Sequence, residues 1–214
     1  MKACLTTPRT AILSLALVLA APAWAQSNLV KLGVTRYDTH STTNGVTGIG
    51  IPPGADARTG DATTLAFVYE RILGPRLGVE LVLGVPPRIK AKATGSVAFL
   101  GEVLSARNVA PSLLVNYRFG EPGDKLRAYV GGGINYTRFI NVSTPYGWDV
   151  ELKDSIGPQA HAGVEYQLTK PWAFWASISF VKVKSDLVAV GNSVLQSTID
   201  FRPTIFTAGL SYAF

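Results

Sequence analysis

The chain has 214 residues, enough for one domain, with 47% hydrophobic and 16% charged residues and 20 Lys and Arg against 14 Asp and Glu. Its single cysteine, Cys4, excludes a disulfide scaffold or a cysteine-built metal site. The basic residues form no run or helical stripe, which excludes a nucleic-acid-binding face.

The N-terminus sets the compartment. Lys2 and Arg9 precede an apolar run over residues 10–20, and Ala23-Trp24-Ala25 supplies small residues where a signal peptidase reads. Residues 1–25 are therefore expected to be a cleaved signal peptide, and 26–214 the barrel domain argued below, starting at Gln26. The run is too short for a membrane anchor, which needs about 20 apolar residues. Cys4 precedes the run, so it is not a lipid-attachment site, and it leaves with the leader. Losing Lys2 and Arg9 leaves eighteen basic against fourteen acidic residues, a net charge of +4.

Behind the leader, segments of about ten residues alternate apolar with polar or glycine positions, the sequence mark of a membrane barrel. Strands are expected at 28–37, 63–71, 78–85, 112–119, 126–138, 159–168, 172–184 and 199–214. In the third, Val79, Leu81, Leu83 and Val85 form one row and Gly78, Glu80, Val82 and Gly84 the other. In the fourth, Leu113, Val115, Tyr117 and Phe119 face out while Ser112, Leu114, Asn116 and Arg118 face in. The sixth sets Ala160, Ala162, Val164, Tyr166 and Leu168 against Gln159, His161, Gly163, Glu165 and Gln167. Successive side chains point to opposite faces, so one row meets lipid and the other a crowded interior. A soluble eight-stranded barrel would reverse the faces, placing Arg118, Glu80 and Glu165 in water and Tyr117, Phe119 and Tyr166 inside.

The connections alternate in length. Short turns rich in Gly and Pro fall at 72–76, 120–125 and 169–171. Long polar loops fall at 38–62, 87–106, 139–157 and 185–198. Outer-membrane barrels keep short turns in the periplasm and long loops outside, so both termini are expected in the periplasm. The fold class that follows is all-β: an eight-stranded antiparallel transmembrane β-barrel in the outer membrane of a Gram-negative cell. Its surroundings would be outer-membrane lipid and lipopolysaccharide.

The final strand places Phe206, Ala208, Leu210, Tyr212 and Phe214 on one face. A last strand ending in phenylalanine resembles the segment that the barrel-assembly machinery recognises. Phe206, Leu210, Tyr212 and Phe214 are the candidate assembly signal.

Six pieces in order resemble the outer membrane protein W family, and within it the alkane-uptake barrels. They are Leu32-Gly33-Val34, Gly78-Val79-Glu80-Leu81 with Gly84-Val85-Pro86, Ala110-Pro111-Ser112-Leu113-Leu114, residues 129–137 (YVGGGINYT), Ala162-Gly163-Val164-Glu165-Tyr166, and Gly209-Leu210-Ser211-Tyr212-Ala213-Phe214. The likeness spans essentially the whole mature chain. Two positions depart from the family pattern: Arg202 precedes Pro203 where an acidic residue is usual, and Ile156 follows Asp154-Ser155 where many members have tryptophan. The resemblance implies passive passage of small hydrophobic solutes, which enter from outside, sit in an apolar upper pocket and leave sideways through the wall into lipid.

An eight-stranded barrel has an interior that side chains fill. The inward charges Lys31, Glu70, Glu80, Arg118 and Glu165, with Arg127 at the lower end, are expected to form a paired network that plugs it. His161 and Glu165 lie about 13 Å apart along one strand, too far to hydrogen-bond, and His40 next to Ser41 sits in a loop. A Ser–His–Glu hydrolase of the lipid A deacylase kind is the enzyme alternative, and it lacks its serine beside a lipid-facing histidine. Gly131-Gly132-Gly133 lies mid-strand with no helix to follow, so it suits close packing rather than a phosphate. Asn141-Val142-Ser143 matches a glycosylation acceptor, discounted in a bacterial chain. No enzymatic activity, metal or cofactor is expected. A surface barrel that serves as a phage, bacteriocin or host receptor is the alternative function.

Proline cannot donate a ladder hydrogen bond. Pro86 and Pro87 end the third strand and Pro111 begins the fourth, all toward the expected extracellular end of one hairpin. Pro158 and Pro203 are expected at the outer ends of their strands. One reading is that prolines only mark strand ends. The other is a parted wall lined by Val85, Ile89 and Leu113, giving Val85, Pro86, Pro87, Ile89, Pro111 and Leu113 as lateral-exit candidates.

Overall fold

The computed structural model describes residues 27–48, 50–191 and 194–214. The expected leader and the cleavage point at Gln26 lie outside the described residues. Eight long strands dominate: β1 (Asn28–Asp38), β2 (Ala62–Ile72), β3 (Leu77–Gly84), β4 (Ser112–Arg118), β5 (Leu126–Ser143), β6 (Ser155–Gln167), β7 (Trp172–Val181) and β8 (Thr204–Ala213). Each pairs antiparallel with the next, and β8 pairs with β1, so the sheet closes on itself and leaves no open edge. No α-helix occurs among the described residues. Asn28 and Phe214 exchange backbone hydrogen bonds of 3.1 and 2.9 Å, which puts the start of β1 and the end of β8 at the rim with the short turns.

Alternation in the sequence becomes alternation in burial. Along β4 every second residue is buried, from Ser112 to Arg118, and each one between is exposed. The same phase runs round the barrel, leaving Leu32, Leu65, Phe67, Val115, Ile134, Phe174 and Leu210 exposed in one apolar belt. Such a continuous patch is unstable in water and demands a hydrocarbon solvent. Aromatic side chains rim it at the turn end, where Trp172 and Tyr212 pack at 4.9 Å and Tyr117 and Phe119 at 5.2 Å.

Inside, large rings face glycines across the ladder. Tyr129 stands opposite Gly163 and Trp175 opposite Gly209. A Cβ on Gly163 would strike the Tyr129 ring, and one on Gly209 would strike the Leu32 carbonyl. Glycine there admits both the ring and the neighbouring strand.

The regions expected as polar loops are built of strands. Ala55–Thr59, Arg88–Gly95 and Glu102–Val109 extend the barrel sheet beyond the belt, while Ser41–Thr43, Thr47–Gly48, Asp149–Leu152, Val183–Val190 and Val194–Phe201 form a second sheet there. They enclose a second core of Ala106, Leu152, Val181, Val183, Ile199 and Phe201. Several expected boundaries shift with them. β5 continues to Ser143 instead of 138, because its upper half pairs with Glu102–Val109. The seventh strand breaks at Lys182, and the last begins at Thr204, since Arg202-Pro203 interrupts the ladder and leaves residues 199–201 in Val194–Phe201. β6 starts at Ser155, so Pro158 lies within a strand rather than at its outer end.

Candidate functional site

The lower barrel is closed by charge. Lys31 on β1 places Nζ 2.8 Å from Glu70, 2.9 Å from Glu165 and 3.2 Å from Glu80, carboxylates from three other strands. Arg118 on β4 bridges Glu70 and Glu165 at 2.5 Å each. Asn116 donates to Glu70 (3.1 Å) and Glu80 (3.0 Å). Its amide nitrogen being so engaged, its oxygen accepts from His161 Nε2 at 2.6 Å, while His161 Nδ1 lies 3.9 Å from Glu80. The Tyr129 and Trp175 rings sit 5.0 and 5.4 Å from the Lys31 ammonium and cover it from the side. Lys31 and Glu70 are entirely buried. Burial of so many charges holds only because each one meets a partner. Arg127 stands apart: it donates to the carbonyls of Pro75 and Phe119 at the turn rim.

Above this layer lies a cavity of about 80 Å3. Its floor is Glu80, His161 and Trp175, its walls include Thr35, Ser112 and Ser179, and its mouth is apolar, with Ile89, Phe139, Val183 and Phe201. The lower half is lined with small polar groups beneath the apolar mouth. Phe139 and Phe201 stand 5.9 Å apart in that mouth, and another, almost wholly apolar cavity of about 130 Å3 lies among the loop strands, lined by residues such as Ala91, Leu104, Trp148 and Leu195.

The wall beside the first cavity is incomplete. The β3–β4 ladder ends at Val82 opposite Ser112. Pairing between the same two chain segments resumes only where Asn108 donates to the Pro87 carbonyl and Arg88 faces Arg107. Between them, no backbone hydrogen bond joins residues 83–86 to 109–111. The flanking ladders hold: Val85 donates to Leu65 on β2, and Tyr136 donates to the Pro111 carbonyl. Asn135 pins residues 110–112 toward β5 through its amide. The cavity lining reaches outward here to Leu65, Leu83 and Val85.

Of the exit candidates, Val85, Pro87 and Ile89 line the cavity, and Pro86 and Pro111 lie within the unpaired stretch. Leu113 does not join them. It sits below, in an intact ladder between Leu81 and Ile134, facing out. Phe206, Leu210, Tyr212 and Phe214 are exposed on the outer face of the last strand. Asn116 was expected to face in but was given no role, and Tyr129, Trp175 and Asn135 went unassigned, although each falls on an inward row. His161 faces Ser179 across the β6–β7 ladder, but its two nitrogens address Asn116 and Glu80. At the rim, Arg202 hydrogen-bonds Asp200 at 2.9 Å and holds its carboxyl below the ordinary range. Ile156 is fully on the outer surface.

Comparison with known proteins gives one family model, described as the OmpW family, that matches residues 25–214. The outer membrane protein AlkL of Ectopseudomonas oleovorans is 29% identical over 168 residues, 78% of this chain and 73% of AlkL. Outer membrane protein W of Escherichia coli (strain K12) is 29% identical over 161 residues, 71% of this chain and 73% of its own. Among solved structures, the outer membrane protein OprG from Pseudomonas aeruginosa superimposes with a TM-score of 0.83 at 21% identity, covering 89% of this chain and 96% of OprG. AlkL in lipid bilayers gives 0.69 at 24% identity, covering 91% and 93%.

Proposed function

The chain belongs to the OmpW family of outer-membrane β-barrels, and on that premise we propose that it gives small hydrophobic molecules passive passage into the outer membrane. The solute enters at the loop end, descends past Phe139 and Phe201 into the upper cavity, and leaves sideways between residues 83–86 and 109–111. The loop end then faces outward and both termini face the periplasm. One observation carries the reading: a cavity whose floor is sealed by paired charge has its unpaired backbone in the side wall. A solute admitted from above meets charge below and lipid beside it. An apolar molecule gains roughly 25 cal/mol per Å2 on entering that lipid, which sets the direction.

The test is uptake by cells that lack any barrel of this family, with and without this protein. A labelled medium-chain alkane should accumulate several-fold faster with the protein, while a small sugar should enter at the same rate in both. Equal acceleration of the sugar would mean an axial aqueous pore and would end this reading.

We assign Phe206, Leu210, Tyr212 and Phe214 as the signal read by the barrel-assembly machinery. Phe214→Ser is then expected to lower the amount of folded barrel in the membrane about threefold or more, because the outward ring contributes nothing to the interior. The unheated-gel mobility of the outer-membrane fraction measures it, and wild-type amounts would dismiss the role.

A further inference from the structure

The ribbon that rises above the wall gap has two unlike faces. Inward it presents Ala57, Ile89, Ala91, Ala93 and Ala106. Outward it presents Arg58, Arg88, Lys90, Lys92 and Arg107, all exposed, and Arg138 of β5 stands on the adjoining strand. Arg88 faces Arg107 directly across the ladder, and Arg58 faces Lys92. Like charges in directly opposed positions destabilise a sheet. Arg138, opposite Val109, lies diagonal to Arg107 and adds a third charge to the first pair. Against these six stands one carboxylate, Glu102, 2.8 Å from Lys90 and opposite Lys92 across the ladder. No other acid lies within ion-pair distance among the described residues.

Elsewhere at this end the cations have acid partners, the single Lys182 excepted among the described residues. Arg36 pairs with Asp61, Lys153 with Asp186 and Arg202 with Asp200, and Lys184 faces Asp200 across its ladder. The unmatched face therefore stands out as a site prepared for an anion. Its height identifies the anion. Arg138 follows Ile134 and Tyr136 on one outward row of β5, so the cations begin about 7 Å beyond the apolar belt. That is the level of lipid headgroups.

We propose that Arg88, Arg107 and Arg138, with Arg58 and Lys92, hold the phosphate groups of an outer-leaflet glycolipid in front of the wall gap. The proposal rests on the outward orientation of the loop end given above. Its acyl chains then lie along Leu83, Val85 and Leu113, on the lipid side of the unpaired stretch. Phosphate relieves the cross-strand repulsion that the free ribbon carries.

The folded barrel in non-ionic detergent is incubated with bisphosphorylated lipid A, with its dephosphorylated form, or with inorganic phosphate, and bound molecules are counted by native mass spectrometry. The wild type should retain the bisphosphorylated lipid, R88Q/R107Q/R138Q about tenfold less, and K153Q/R202Q as much as wild type. Arg107→Glu, which supplies Arg88 with a cross-strand partner, should also lose the lipid while folding normally. Equal retention by the triple variant, equal binding of the dephosphorylated lipid, or full displacement by millimolar inorganic phosphate overturns the proposal. The Phe99→Cys protein, changed at a side chain 83% exposed at the same end, should react with an impermeant thiol reagent on intact cells, and failure to react overturns the outward placement. The detergent assay involves no solute flux, so its failure leaves the passage reading standing, and failure of uptake leaves the lipid count untouched.

Discussion

Replacing Arg118 with leucine is expected to cost about 3–5 kcal/mol, a shift of roughly two to four orders of magnitude in the folding equilibrium. Arg118 neutralises Glu70 and Glu165 at once, and both are buried. Without it three carboxylates share Lys31, the remaining full cation of the layer, with no water to screen them. The barrel then either protonates a carboxylate or admits water past Tyr129. Adding Glu165→Gln to the Arg118→Leu chain should recover about half the loss, because one charge leaves the layer with its partner. Urea unfolding in lipid vesicles, read by the mobility of unheated protein, measures both variants. A loss below about 1 kcal/mol for Arg118→Leu would mean that the layer is hydrated and does not seal the barrel.

The second large effect is on transport. Pro86→Val supplies an amide hydrogen on the side away from the Val85–Leu65 bond, where residues 83–86 and 109–111 now face each other without a hydrogen bond. Pro111→Val adds one on the β5 side, where Pro111 already accepts from Tyr136, and the strand is thereby held in regular ladder geometry. Alkane uptake is expected to fall to the level of cells without the barrel, while the folded amount stays at wild type. Neither proline contributes to the charge layer, so a closed gap with a stable barrel is the expected state. Undiminished uptake by a folded double variant would remove the exit from this hairpin.

The barrel faces were legible in the sequence because lipid and lumen impose opposite chemistry on alternate residues, as in Leu113-Leu114-Val115-Asn116. Even there Leu114, an apolar inward residue, would mislead a count that ignored its neighbours. The charged members of the lower layer were legible by phase alone. Their partners were not, since which inward side chain of one strand meets which of the next depends on register across strands distant in sequence. Asn116 and His161 meet only because both lie opposite Gly131, on the two ladders of β5. The extramembrane strands were missed for a different reason. Arg88-Ile89-Lys90-Ala91-Lys92-Ala93 alternates faithfully, but alanine is a weak apolar signal and the lysines give the segment the look of a polar loop. Leu113 was drawn into the exit by its closeness to Pro111, whereas one residue suffices there to pass from open to paired backbone.

The apolar belt also bears on where the chain can lodge before it reaches its destination. On β5 the outward row from Leu126 to Tyr136 spans ten residue steps. At about 3.4 Å each and a strand tilt near 40°, that is a hydrocarbon thickness of about 26 Å. The inner membrane offers about 30 Å, so the barrel inserted there would suffer a mismatch of about 2 Å at each rim, where Trp172 and Tyr136 would be drawn into the acyl region. A thinner bilayer removes that penalty. The height of the belt is thus itself an address, one that sorts the folded barrel away from the membrane it must cross as an unfolded chain.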